Sequence, residues 1–265
     1  MKDMLKKMAW LFFAITSYLI LADAVQPWMR LPKLGHAGFT MVFVLFSLLH
    51  CAVLKGKKTT AYFFAVSAFI SFALEEIGVR TGLIYGHYHY SNLLGPKLGS
   101  VPIIIPLAWF MMIYPSWRLA GVLTRAINSN SLFGRSTQAL IAAMVMTAWD
   151  MVMDPANTAA GLWIWERGGI YFGVPRQNYL GWIFTTFLIY WTMSLLSNGK
   201  QQTTVDRGFS VLPVMVYALY AVRYIVADRV PALQLVALFA MGMPAFLALA
   251  SIYLNRQSNI AVIPE

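Results

Sequence analysis

The sequence predicts an all-α fold, a polytopic membrane bundle of about eight helices, and three observations lead there. Of the 265 residues 59% are hydrophobic and only 11% charged, where soluble domains carry roughly 25% charged residues. The apolar residues come in blocks near the ~20 residues that cross a bilayer as a helix. The basic residues fall mostly between those blocks, as topology determinants do.

Taken in order, the candidate spans are 9–25, 35–54, 60–79, 100–122, 137–154, 179–197, 209–227 and 233–254, read as one transmembrane domain over 1–265. The first block has a second reading. A basic start, an apolar stretch and Ala22-Asp23-Ala24 also resemble a secretory leader, although the run is long for one. The net charge of +10 would point to nucleic acid in a soluble chain. Here Lys2, Lys6, Lys7, Lys55, Lys57, Lys58, Arg118, Arg125, Arg135, Lys200, Arg207 and Arg256, 12 of the 20 basic residues, sort to one side against 8 on the other, so the expected partner is the lipid bilayer, with no nucleic acid. Both termini are then inside, and the expected location is the cell (cytoplasmic or inner) membrane, multi-pass. Cys51 is the single cysteine, which excludes an internal disulfide and a thiolate metal cluster.

Two stretches between spans share a pattern. Glu75 precedes Gly82-Leu83 by seven positions, and Asp154 precedes Gly161-Leu162 by seven. Aromatics follow, Tyr85 in the first and Trp163 and Trp165 in the second. Further on, "VPIIIPLAW" (101–109) matches "VPRQNYLGW" (174–182), with Val-Pro, Leu and Trp in register. The pattern is either a duplicated helix–loop–helix unit, spans 3–4 and 5–6, or coincidence among Gly- and Trp-rich loops. A true repeat sets Glu75 and Asp154 at equivalent positions facing one cavity.

The chain has ten acidic residues, and Glu75, Glu76, Asp150 and Asp154 sit at the ends of spans 3 and 5. A carboxylate there is costly against lipid and must face protein or water. Paired carboxyls in a low-dielectric site tend to keep a proton on one member, which a general acid requires. These four are the candidate catalytic residues. Each but Asp150 has a plainer alternative nearby. Asp154-Pro155 fits a helix N-cap with proline at the first helical position, Glu76 fits an ion pair with Arg80, and Glu75 stands evenly between the two readings. Asp23 and an Arg223–Asp228 pair read as interfacial residues.

Aromatics crowd the same loops, and Trp109, Trp149, Trp163, Trp165, Trp182, Tyr85, Tyr88, Tyr90 and Tyr171 serve either as an interfacial belt or as a slot for a flat apolar ligand. Their faces also stabilise a cation, by about 0.5–2 kcal/mol each. His87 and Asn178 join the candidate substrate-binding set. Only His36, His50, His87 and His89 exist, too few for a histidine-rich di-iron oxygenase, and no Gly-rich phosphate loop appears. Asp150-x-x-x-Asp154 is half of a magnesium–diphosphate site, with Glu75-Glu76 a weak second half. No metal and no cofactor are therefore expected.

With these residues in view, "EEIGVRTGLIYGHYHYSNLLGPKLGSVPIIIPLAWFMM" (75–112) and "AWDMVMDPANTAAGLWIWERGGIYFGVPRQNYLGW" (148–182) resemble the integral-membrane carotenoid 1,2-hydratases. The resemblance implies a hydro-lyase without cofactor. Such an enzyme adds water to the terminal double bond of an acyclic carotenoid end to give a tertiary alcohol. Its implied partners are a membrane-embedded carotenoid, water and other carotenoid-pathway enzymes. Protonating that alkene leaves a tertiary cation, which paired acids and tryptophans suit. The competing classes are a membrane isoprenoid transferase or end-group cyclase, and a non-enzymatic transporter of hydrophobic substrates.

Overall fold

The computed structural model describes residues 2–127, 131–196 and 207–258. Every expected span lies on a helix. They are α1 (Lys2–Ala24), α2 (His36–Lys55), α3 (Lys57–Thr81), α4 (Ile104–Leu123), α5 (Leu132–Ala159), α6 (Arg176–Leu196), the short α7 (Arg207–Ser210) and α8 (Leu212–Ala227). The last span is α9 (Pro231–Val236), a π-helical stretch Ala237–Gly242 and α10 (Met243–Ser258). Residue 197, the end of one expected span, and Lys200 lie outside the described residues.

Six of these, α1, α2, α3, α5, α6 and Pro231–Leu254, are long and apolar enough to cross a membrane. α8 has 16 residues, about 24 Å of helix against a hydrocarbon core of about 30 Å. α4 packs against α2, α3, α5, α8 and α10. That enclosure lets it carry Pro115 and Arg118 among buried neighbours such as Tyr114, Leu119 and Ala120. On the outside of the bundle Phe69, Phe133 and Phe246 stand mostly exposed, the arrangement of a chain whose solvent is lipid.

The two loops of the sequence repeat meet. Strands β1 (Tyr88–Tyr90) and β4 (Trp163–Trp165) pair antiparallel, with β2 (Lys97–Leu98) and β3 (Val101–Pro102) forming a second small ribbon between them in sequence. The register sets Tyr88 opposite Trp165, His89 opposite Ile164 and Tyr90 opposite Trp163. Hydrogen bonds from Ser91 N to Leu162 O (3.1 Å) and Glu166 N to His87 O (3.0 Å) extend it at both ends. An antiparallel pair has a local two-fold axis, here through His89 and Ile164. The helices feeding it end alike: Gly82 after α3 has φ +71° and Gly161 after α5 has φ +72°, the left-handed conformation that glycine adopts without Cβ strain. Trp109 and Trp182, the equivalent tryptophans, stack on each other with ring centroids 4.1 Å apart.

Asp154 is not an N-cap. α5 runs through Pro155 to Ala159, so Asp154 lies in its interior. Pro155 has no N–H for the carbonyl of Met151 one turn back, and the Tyr171 hydroxyl donates to that carbonyl instead (3.0 Å). Proline thus interrupts the ladder without ending the helix. Elsewhere His50 is a buried cross-link. Its Nε2 donates to Phe209 O (2.7 Å), which fixes Nδ1 as the acceptor from Tyr114 Oη (2.6 Å).

A Cβ on Gly82 would lie 2.6 Å from the His87 ring, whereas one on Gly161 would meet nothing within 4 Å. Gly161→Ala is expected to cost about 1–2 kcal/mol from the left-handed backbone alone, and Gly82→Ala measurably more. Thermal unfolding of the two variants in detergent checks the order, and equal losses would contradict it.

Candidate active site

Asp150 and Asp154 are one turn apart on α5, both buried, and α6 delivers the buried Asn178 between them. The Asn178 amide nitrogen donates to Asp154 Oδ2 (2.6 Å) and to Asp150 Oδ2 (3.0 Å). A primary amide has two N–H bonds, and both are used here. Asp154 Oδ1 accepts from Trp163 Nε1 (2.5 Å) and Thr158 Oγ1 (3.0 Å). Trp165 Nε1 in turn donates to Thr158 Oγ1 (3.2 Å). Asp150 Oδ1 has no hydrogen-bond partner among the described residues.

Glu75, buried on α3, is met in the same manner. Trp109 Nε1 donates to Oε1 (3.0 Å), Tyr90 Oη to Oε2 (2.8 Å), and Tyr88 Oη to the same Oε2. Burial first, and the Glu75 carboxylate second, push the Tyr88 and Tyr90 phenols well above their usual range. They remain donors at any physiological pH. Alternation along the ribbon explains why strands supply these groups: Tyr88, Tyr90, Trp163 and Trp165 turn to one face, His89 and Ile164 to the other. His89 pairs outside with Glu166 (3.5 Å).

All three carboxyls line one cavity of about 670 Å³, with Asn178, Trp109, Trp149, Trp163, Trp165, Trp182, Tyr85, Tyr88 and Tyr90. Trp149 forms part of its wall against Tyr220, ring centroids 4.5 Å apart. Tyr85 is held by Thr185 (2.8 Å between hydroxyls). None of the three acids has an ion-pair partner among the described residues. The cations that line the cavity, Arg223 and Lys33, are engaged by Asp23, a fourth acid of the lining: Arg223 Nη2 lies 2.7 Å and Lys33 Nζ 3.3 Å from its carboxylate. Arg223 therefore pairs with Asp23 on α1, not with Asp228. Two hundred residues of sequence hide that partner.

Three candidates fall outside the lining. Glu76 takes its plainer role, accepting from Arg80 Nε (2.5 Å) and Ser100 N (2.8 Å), and so ties α3 to the following loop. His87 is exposed and packs its ring over Gly82. Tyr171 stays behind the wall on Met151. Thr158 escaped the sequence reading although it stands one helical turn after Asp154, the spacing at which it was readable. Among the described residues no three His, Cys, Asp or Glu side chains gather as ligands for a metal ion.

The match between the halves is incomplete where it matters chemically. Counting from the equivalent acids, Asp150 corresponds to Ser71, and counting from Val101 and Val174, Asn178 corresponds to Ile105. One half holds a single saturated carboxylate; the other adds a second carboxyl and the amide bridging it. A family profile described as "Carotenoid biosynthesis protein" matches residues 35–254, a range that contains Glu75, Asp150, Asp154 and both copies of the repeat. The chain belongs to the carotenoid biosynthesis protein family. Bisanhydrobacterioruberin hydratase of Haloarcula japonica is 37% identical to the chain over 116 residues, 43% of this chain and 38% of the relative. The chain thus aligns with well under half of that relative's length. No solved structure matches.

For this carotenoid biosynthesis protein, Asn178→Leu leaves two buried carboxyls each short of a donor. A hydrogen bond to a charged group is worth about 1.5–3 kcal/mol, so the variant should unfold at clearly lower temperature in detergent. Asn178→Gln should recover part of the loss. A variant as stable as the parent would show that the bridge carries no weight.

Proposed function

We propose that this protein is a hydro-lyase that adds water to the terminal carbon–carbon double bond of an acyclic carotenoid end group. The observation that carries the reading is a triad of carboxyls in an aromatic cavity, without a cationic partner, in which one oxygen, Asp150 Oδ1, is left free. Family membership and the name of the aligned relative support it.

In this mechanism Asp150 is the general acid. Its proton goes to the less substituted alkene carbon, the π electrons form the new C–H bond, and a tertiary cation forms at the other carbon. Glu75 and Asp154, each saturated by three donors, are the negative charges that the cation meets. The faces of Trp109 and Trp163 add about 0.5–2 kcal/mol each. A water oxygen attacks the cation, and its surplus proton passes to the Asp150 carboxylate left by the first step, so the sum is alkene plus water to tertiary alcohol. Preorganised donors matter here because a wet, mobile site would solvate the cation and the carboxylates separately.

Expression in a host that accumulates lycopene, followed by mass spectrometry, should reveal products heavier by one or two waters. Asp150→Asn and Asp154→Asn should each lower product by roughly 100-fold or more, the first as loss of a general acid and the second as loss of a charge facing the cation, at unchanged membrane levels. Near-parental product from both removes them from the reaction. Turnover should survive EDTA without added nucleotide. Loss on chelation, restored by magnesium, would instead indicate prenyl transfer.

A further inference from the structure

We propose that the cavity opens sideways into the bilayer, at the boundary of acyl chains and headgroups. A long apolar substrate would then bind with one end at the acids and the rest of its chain still in lipid. This rests on the reaction proposed above for the identity of the substrate, but not for the direction of the opening.

The rim carries the argument. Beside the exposed Lys33, which Asp23 holds, and His36, the aliphatic side of the rim is formed by Leu34, Leu93 and Ile103, which line the cavity and are nevertheless 47%, 67% and 54% exposed. They come from three separate segments: the loop before α2, the turn after β1 and the residue before α4. A mouth that faced water would put three large aliphatic side chains into it at the one place where the cavity is hydrated, which the hydrophobic effect disfavours. The loop that supplies Leu34 reads "VQPWMRLPKLG" (25–35) and exposes Trp28 and Met29 alongside Arg30 and Lys33. Tryptophan and long cations interleaved with aliphatics form the composition of a membrane interface, where the ring and the alkyl stems lie in the acyl region and the charges reach the headgroups. The acids lie deeper, beneath the ribbon.

A stiff conjugated chain cannot fold back inside a cavity this size. Its far part must leave through an opening whose walls it wets, and the apolar rim is continuous with the apolar inner wall at Ile105, Leu107 and Met111. Lateral entry also spares the chain a transfer through water.

Spin labels decide the direction of the opening without reference to activity. Cys51 is buried, so Leu34→Cys, Leu93→Cys and Ile103→Cys can be labelled singly in protein reconstituted into phosphatidylcholine vesicles. Phe69→Cys, mostly exposed in the middle of α3, is the lipid reference, and Glu166→Cys in the outer loop is the water reference. The three rim labels are expected to be relaxed more by oxygen than by a water-soluble nickel chelate, as at Phe69. Preferential relaxation by the nickel chelate, as at Glu166, overturns the proposal. A second arm narrows the mouth with Leu34→Trp plus Ile103→Trp. Hydration of a full-length carotenoid should fall by up to about 100-fold, the scale set by misplacing a reacting group. Hydration of a short acyclic monoterpene with the same end group should be preserved. Equal slowing of both overturns the assignment of the mouth as the chain's exit. If the parent protein hydrates neither substrate, the proposed reaction fails, and the spin labels still decide the mouth.

Discussion

A carboxyl group inside an apolar bundle must be met by hydrogen-bond donors, and most of the architecture around the cavity follows from that requirement. Desolvating an unmet charge costs several kcal/mol. Glu75 and Asp154 each receive three donors, drawn from two tyrosines, two tryptophans, a threonine and an amide. Helices cannot supply so many from their own neighbours, so the chain inserts short strands whose alternating side chains hang inward from a ribbon. The ribbon in turn needs two helix ends that turn sharply at the same level, which the left-handed glycines provide. The loops are therefore the polar lining that makes the acids tolerable.

The duplicated pattern gives this arrangement its economy and its asymmetry. Two copies of one unit bring equivalent tryptophans into a stack and equivalent acids to one cavity. Divergence then separates their roles. Where one copy keeps Ser71 and Ile105, the other has Asp150 and Asn178, and there, among the described residues, the buried Asp150 Oδ1 goes without a partner. Saturated carboxylates are well suited to hold charge; a carboxyl with a free oxygen is suited to move a proton.

Much of this was legible in the sequence because its physical signals are local. Block hydropathy located the long apolar helices, six of which are long and apolar enough to cross a membrane, since span length is set by the bilayer. The spacing from acid to glycine exposed the repeat, since both loops leave a helix by the same turn. Asp150, Asp154 and Glu75 stood out because charge is rare here. The illegible parts depend on distance in sequence or on what a helix does beyond a proline. Arg223 meets Asp23 across the bundle, and no local pattern encodes that pair. Asp154-Pro155 looked like a helix start because the hydroxyl that repairs the broken ladder, on Tyr171, comes sixteen residues after the proline. Glu76 and Glu75 are adjacent and chemically alike, and only the facing of α3 sends one inward and the other to Arg80.

The ribbon joins residues 88–90 to residues 163–165, and so ties the site to the order in which the chain is made. When α3 and α4 have entered the membrane, Glu75 already has Trp109 within its own half, yet the strand bearing Tyr88 and Tyr90 still has an unpaired edge. That edge waits for about forty further residues, including the whole of α5. Until they arrive, an open strand and a half-covered acid stand at the membrane boundary, where they can capture the wrong partner. Biogenesis thus has a vulnerable interval that begins with the fourth helix and ends at Trp165.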